Sequence, residues 1–450
     1  MHRIAWLLTV GVSLWVGCCA MGADALPPSQ GGASGNAAAL APVTFNKDIA
    51  PILFNNCVSC HRPGEVAPFS LLDYKSARKH AKEIDDQTAT RSMPPWKPEP
   101  GFGDFIGVRR LNDAQISLIH EWVRQGKQEG NPSDLPAAPQ FPGGWRLGEP
   151  DMVVKMPKAY TLRADGPDDY RCFVIPLNLK EDTYVTAVDF HASNPRVVHH
   201  ALFFLDTTGK GRELQDASND GAVGYYGAGG PGFRPTGGLG GWAPGVTAHY
   251  LPDDVGRIVR AGSDLVIQIH FHPSGKVEQE QSSVALYFTK TTPKKIFVSF
   301  PHSVRKIDIS PGDNNYVIDS SFTVPGDVEL QGVFPHAHLL CRSVKVTADL
   351  PDGTTLPLIW IKDWDWNWQG EYLYKTPIKI PRGTKITQHF VYDNSSENIH
   401  NPNTPPREVK FGEQTGDEMS LVFYQLVIDR GSVLDRLREM FRGGQPPRGQ

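Results

Sequence analysis

The chain has 450 residues, 40% of them apolar and 10% aromatic, with 44 Gly and 38 Pro. That length exceeds one ordinary core and calls for two or three domains, while the turn-rich composition favours β-architecture over helical bundles. A net charge of -4 excludes the strongly basic surface that a nucleic-acid partner requires.

The first 25 residues predict an export signal. Arg3 supplies the charged start, Ile4 to Val16 the apolar run, and Ala23-Asp24-Ala25 a small-residue cleavage site before Leu26. The run is shorter than a spanning helix needs, and no later stretch is long enough. The mature chain is therefore expected in the periplasm or cell envelope, without a transmembrane segment. A lipoprotein cysteine at Cys18 or Cys19 is the alternative, although Trp15-Val16-Gly17 suits it poorly. Residues 26–41, rich in Pro, Gly, Ser and Ala, read as a linker.

Residues 42–130 carry helical signals. Asp48 to Asn56 predict a short helix and Asp73 to Arg91 a second. Leu111 to Gln128 predict a third, with Asn112 as N-cap and Gln115 as its capping-box partner. Between the first two stands Cys57-Val58-Ser59-Cys60-His61, the CxxCH spacing of covalent haem attachment. Two thioethers from Cys57 and Cys60 would hold one haem c, with His61 on the iron. A zinc site would need a second Cys pair, which the chain lacks. The sixth ligand is expected to be Met93, the only methionine of this region, in a loop stiffened by Pro94 and Pro95. His80 and His120 are the alternatives. The region resembles the cytochrome c domains of exported bacterial proteins.

Residues 131–144 read as a second linker. After Trp145 the pattern turns to period two, as in Tyr184 to Phe190, Leu265 to His272, Val344 to Ala348 and Leu421 to Ile428. Short strands between Pro-Gly-Asp turns predict β-sandwiches. Gly221 to Gly245 reads as a long functional loop or lid. Cys172 and Cys341 are left over, and their pairing stays open.

Histidines punctuate these strands. His336 and His338 would share a strand face and chelate one metal. His199 and His200 would point apart in a regular strand, so both reach one metal only if the backbone bulges. His270 and His272 share a face. Met419 adds a thioether, and nitrogen with thioether favours copper cycling between Cu(I) and Cu(II).

Residues 145–430 resemble the copper type II, ascorbate-dependent monooxygenases. The matching pieces are Val198-His199-His200-Ala201-Leu202-Phe203, Gln268-Ile269-His270-Phe271, His336-Ala337-His338-Leu339 and Asp417-Glu418-Met419, in family order, with Tyr170-Arg171-Cys172-Phe173 before them. The resemblance implies two coppers: an electron-storing one on His199, His200 and His270, and an oxygen-activating one on His336, His338 and Met419. The last three are the expected catalytic residues. It implies two jelly-roll-like sandwiches, 145–300 and 301–430. The expected fold is thus multidomain: a small all-α cytochrome c domain followed by two all-β jelly-roll-like sandwich domains. A short helix and disordered tail are expected over 431–450.

The implied activity is hydroxylation of a C–H bond with O2 and an external one-electron donor. That donor is an ascorbate-like reductant or a periplasmic redox protein, with the haem feeding the coppers. Where the peptide-hydroxylating relatives hold a substrate carboxylate, this chain has Phe334, Leu421 and Phe423, so a neutral or apolar small-molecule substrate is expected. His272 has no counterpart in the motif and reads as polar lining. The alternative function is a periplasmic electron-transfer or copper-binding protein without oxygenase activity.

Overall fold

Strands dominate the computed structural model, which describes residues 42–432 except 142, 413 and 415; strand makes up 37% and helix 13%. The expected signal peptide, the 26–41 linker and nearly all of the 431–450 tail lie outside the described residues. No described helix is long and apolar enough to cross a membrane.

A π-helical turn, Phe45–Ile49, leads into α1 (Ala50–Asn56), followed by α2 (Tyr74–Lys79), α3 (Ala81–Ala89) and α4 (Asp113–Arg124). Their apolar faces, including Phe45, Leu53, Ile84, Ile119 and Trp122, bury one small core. Burying each large side chain contributes roughly 1.5–3 kcal/mol. The capping box forms as expected: Asn112 accepts from the Gln115 backbone and Gln115 answers from its side chain. The single helix expected over Asp73–Arg91 is instead two. His80 leaves helical geometry at φ -100 and ψ 13, and its ring stacks on Phe69 at 3.8 Å.

The first β-half contains β1 (Met152–Lys155), β2 (Tyr160–Leu162), β3 (Asp169–Pro176), β4 (Thr183–His191) and β5 (Val198–Asp206). After α5 (Lys210–Ala217) come β6 (Tyr225–Tyr226), β7 (Gly237–Trp242), β8 (Val255–Val259), β9 (Asp264–Phe271), β10 (Glu278–Glu280) and β11 (Ser283–Phe288). A five-stranded sheet, β6-β3-β9-β5-β7, faces β1-β11-β4-β8. Phe173, Phe190, Phe203, Ile267 and Leu286 from both layers meet in one core. The Gly221–Gly245 stretch, expected as a functional loop or lid, supplies β6 and the edge strand β7. Glycine there permits close approach: a Cβ on Gly241 would lie 2.9 Å from the Ala201 carbonyl oxygen.

The second half contains β12 (Lys295–Val304), β13 (Asp308–Ile309), β14 (Tyr316–Thr323), β15 (Val328–His336), β16 (Cys341–Asp349), β17 (Thr355–Ile361), β18 (Tyr372–Ile380), β19 (Lys385–Tyr392), β20 (Val409–Lys410) and β21 (Ser420–Asp429). The layer β14-β19-β16-β17 faces β12-β21-β15-β18 over a second core with Val344, Phe390, Val422 and Tyr424. One layer of each half joins the other as a continuous eight-stranded sheet. The seam is the short parallel pairing of β8 with β12, Val255 to Lys295 and Gly256 to Ile296.

A strap links the helices to this second half. Trp96 and Phe105 pack on its core. The Glu99 backbone N–H donates to Trp360 at 2.7 Å, and that of Ile106 to Leu373 at 2.8 Å. The strap therefore grips the end of β17 and the start of β18, bracketing the connection 362–371.

Candidate metal centres

The first centre forms where β5 and β9 meet. Their antiparallel register slips between Val198 and His200, the bulge that adjacent histidines need to turn to one side. His199 Nδ1 lies 3.2 Å from both His200 Nδ1 and His270 Nδ1, and the last two are 3.4 Å apart. Three nitrogens held by one ion at about 2.0–2.1 Å stand roughly 3.2–3.6 Å apart, so this donor set fits a single metal. The outer face of His270 is fixed: its Nε2 lies 2.6 Å from Asp168 Oδ2, and Tyr170 stacks on the ring at 4.2 Å. Such outer partners set ring orientation and tautomer.

Electrostatics keep the site ready for a cation. Burial brings His199 down to about 4, helped by the charge on His270 and opposed by Asp168. His200 falls well below its ordinary value, first through burial and then through His270, His199 and His336. Both rings are therefore neutral lone-pair donors at neutral pH. Burial pushes Asp168 up, but hydrogen bonds from His270 and His272 outweigh it and bring the carboxyl to about 2. His272, expected as lining, is 71% exposed and shares Asp168 with His270 at 2.8 Å.

The second centre sits at the end of β15. His336 is the last residue of that strand and His338 lies in the turn beyond it, so the pair does not lie on one continuous strand. Their rings stand 5.2 Å apart at 85°. His336 Nδ1 meets Gln369 Oε1 at 2.5 Å, and His338 Nδ1 meets the Asp417 carbonyl at 3.0 Å. Both contacts place a proton on Nδ1 and leave Nε2 as the lone-pair donor. Burial lowers His336 to about 3 and His338 to about 4. Trp366 packs against both rings.

Glu418 ties Met419 to this pair. Its fully buried carboxylate accepts from the backbone N–H of His338, Leu340 and Met419. Burial pushes it up to about 8 against these donors. The Met419 carbonyl is held by the Tyr392 hydroxyl at 2.8 Å. Glu418 thus clamps His338 and Met419 while Gln369 holds His336; two imidazoles and a thioether are a donor set that fits copper. Beside it the three substituted positions form an apolar wall. Leu421 pairs with His336, Phe334 pairs with Phe423, and the last two rings stack at 5.7 Å.

At the CxxCH turn Cys57 and Cys60 are not joined in a disulfide, and His61 Nδ1 lies 3.1 Å from the Phe69 carbonyl. This leaves His61 Nε2 to bind iron, so the residues present fit a covalent haem. Burial lowers His61, with the Phe69 contact opposing it. Met93 follows α3 half-buried, its N–H on the Gln87 carbonyl at 3.1 Å. His80 is engaged with Phe69 and Glu83, and His120 faces Asp85 from a side chain 65% exposed. Cys172 and Cys341 are free and buried in separate clusters, so they do not pair.

The sequence did not mark Asp168, Gln369 or Trp366, which carry no spacing signal. Glu418 stood within a quoted motif without a role. The sequence matches no protein-family model and no curated protein. Among solved structures, the major capsid protein P2 of bacteriophage PM2 is similar at 9% identity. It covers 55% of this chain and 100% of its own, with a TM-score of 0.23. PNGF-II is similar at 8% identity over 62% and 65%, TM-score 0.24. The infectious bursal disease virus VP2 subviral particle reaches 13% over 64% and 74%, TM-score 0.17. Likeness this low carries no argument about fold or function.

Proposed function

We propose that this chain is an exported copper- and haem-dependent monooxygenase, similar to the copper type II, ascorbate-dependent family, with an N-terminal c-type cytochrome domain and two jelly-roll-like sandwiches. The observation that carries the reading is the convergence of three Nδ1 atoms within 3.2–3.4 Å, accompanied by a second imidazole pair of which His338 shares the Glu418 clamp with Met419. His199, His200 and His270 would hold one copper; His336, His338 and Met419 the other; Cys57, Cys60 and His61 the haem, with Met93 as sixth ligand. Copper in these sites would supply one-electron chemistry with O2 and hydroxylation of a C–H bond.

The chain's own groups do the positioning. Asp168 orients His270, Gln369 orients His336, and Glu418 sets the spacing of His338 and Met419. Phe334, Leu421 and Phe423 exclude water beside His336 and favour an apolar reacting group. A carboxylate placed there would lose its solvation without a partner.

The test is metal analysis of the matured protein, with one haem and two coppers expected. In His270→Ala one copper should go and the other stay; loss of both, or of neither, would overturn the two-centre assignment. Oxygen uptake dependent on an added substrate separates an oxygenase from a pure electron carrier.

A further inference from the structure

The sheet β14-β19-β16-β17 presents one face to the second core and the other outward. Val344 and Val346 turn into the core, so by strand alternation Ser343, Lys345 and Thr347 turn away from it. With Thr387 and His389 of β19 and Trp360 of β17 they line a cavity of about 490 Å³ on the outer face. That lies in the range of small-molecule sites. All six residues are half-buried. The strap borders this groove, where the Phe102 ring meets Trp360 edge-on at 5.0 Å.

Strand register lines the polar groups up. Lys345 lies opposite His389 on one side and Trp360 on the other, and Thr347 lies opposite Thr387. The Lys345 ammonium stands 5.3 Å from the Phe102 ring and 5.1 Å from the Trp360 ring. The two rings hold the cation in place, and among the described residues it has no carboxylate partner. Lys362, over Trp360 at 4.4 Å, differs in having Glu99 at 4.0 Å. The hydroxyls of Thr347 and Thr387 make no hydrogen bond within the described residues. Ser343 Oγ accepts from the Trp360 indole N–H at 3.3 Å, which leaves its own proton to give. His389 Nδ1 is engaged with Asp319 at 2.7 Å, which leaves Nε2 for a ligand.

A cation without a counter-ion, flanked by hydroxyls that both give and accept and set beside an indole, is the complement of an anionic sugar. A carboxylate answers the ammonium. Ring hydroxyls answer the threonines and His389, and the C–H groups of the sugar meet Trp360. We propose that this outer groove binds a carboxylated saccharide, a uronate, through Lys345. The inference goes beyond the monooxygenase reading and uses no ligand of either metal centre.

The experiment measures binding of trigalacturonate and of its methyl ester to the full-length purified protein by calorimetry. The ester keeps every ring hydroxyl and loses the charge. The acid should bind about fivefold more tightly than the ester, less than a fully buried charge-assisted hydrogen bond would give because the groove is open to water. Lys345→Met should erase that preference and leave ester binding in place. Thr347→Val removes a hydroxyl that both ligands use and should weaken both by about threefold. Should one variant fail to fold, the other carries the test. Equal affinity for acid and ester in the native protein, binding of neither, or an unchanged preference in Lys345→Met overturns the proposal. So does equally tight binding of tricarballylate, which has three carboxylates and no sugar ring. Copper counts on the same samples test the two-centre reading separately, so the failure of one is distinct from the failure of the other.

Discussion

Glu418 shows how much one side chain fixes. Three backbone N–H groups from two chain segments converge on its carboxylate, and these segments carry His338 and Met419. At pH 9, above the value of about 8 to which burial pushes Glu418, Glu418→Gln turns one acceptor of the ionised group into a donor facing other donors. The variant should be less stable by about 2–3 kcal/mol and should lose copper from the second centre while keeping the first. Denaturant unfolding with copper counts checks both parts, and unchanged stability would argue against the clamp. The histidines of that centre make a pH prediction. Their ordinary value of 6.5 falls to about 3 for His336 and about 4 for His338. Below pH 6.5 the unfolded chain binds protons that the folded, metal-free chain refuses. Their contribution is thus complete above pH 6.5 and lost as pH falls through about 4 to 3. Thermal melts of metal-free protein should decline across that window, and His336→Phe should flatten the decline.

At the scale of elements, the strap 96–106 acts on a site it does not touch. Lys97 forms ion pairs with Asp363 at 3.2 Å and Asp365 at 3.4 Å, and Trp96 meets Tyr372 edge-on at 5.6 Å. The connection so held carries Trp364, which donates to the His338 carbonyl at 3.2 Å, as well as Trp366 and Gln369. Trp96→Ala should cost about 3 kcal/mol, at the low end for a partly buried Trp. It should also weaken copper at the second centre about tenfold, as loss of outer-shell support does, and spare the first. Copper titration followed by electron paramagnetic resonance resolves the two centres; equal weakening of both would count against the strap as a positioning element.

Across the whole molecule, what the sequence disclosed follows the range of the physics involved. Period-two alternation marked β4 and β16, where burial of every second side chain is written locally; β9 and β21, read by the same alternation, are instead buried along nearly their whole length. The first histidine cluster was legible as well: adjacent histidines require a bulge, and the register of β5 slips there. Local pattern failed where partners come from afar. His80 breaks a helix to stack on Phe69. The glycine-rich β7 has no strand signature and owes its place to the closeness of β5. Asp168, Gln369 and Trp366 reach the histidines only through tertiary folding. The strap reads as loop until the edges of β17 and β18 are present to pair with it.

The seam between the halves has a mechanical consequence. Among the described residues, strand pairing across it is limited to Val255 with Lys295 and Gly256 with Ile296, buttressed by a small cluster of Leu251, Val255, Phe297 and Val427 and by Lys294 on Asp254. Sliding one sandwich along the other would break these hydrogen bonds and separate that cluster. Rocking about the strand direction costs far less, since sheets tolerate variable twist between neighbouring strands. The least costly whole-body motion is therefore a rotation about β8 and β12. His200 belongs to one half and His336 to the other, so such rocking would change the gap between the two candidate metal centres.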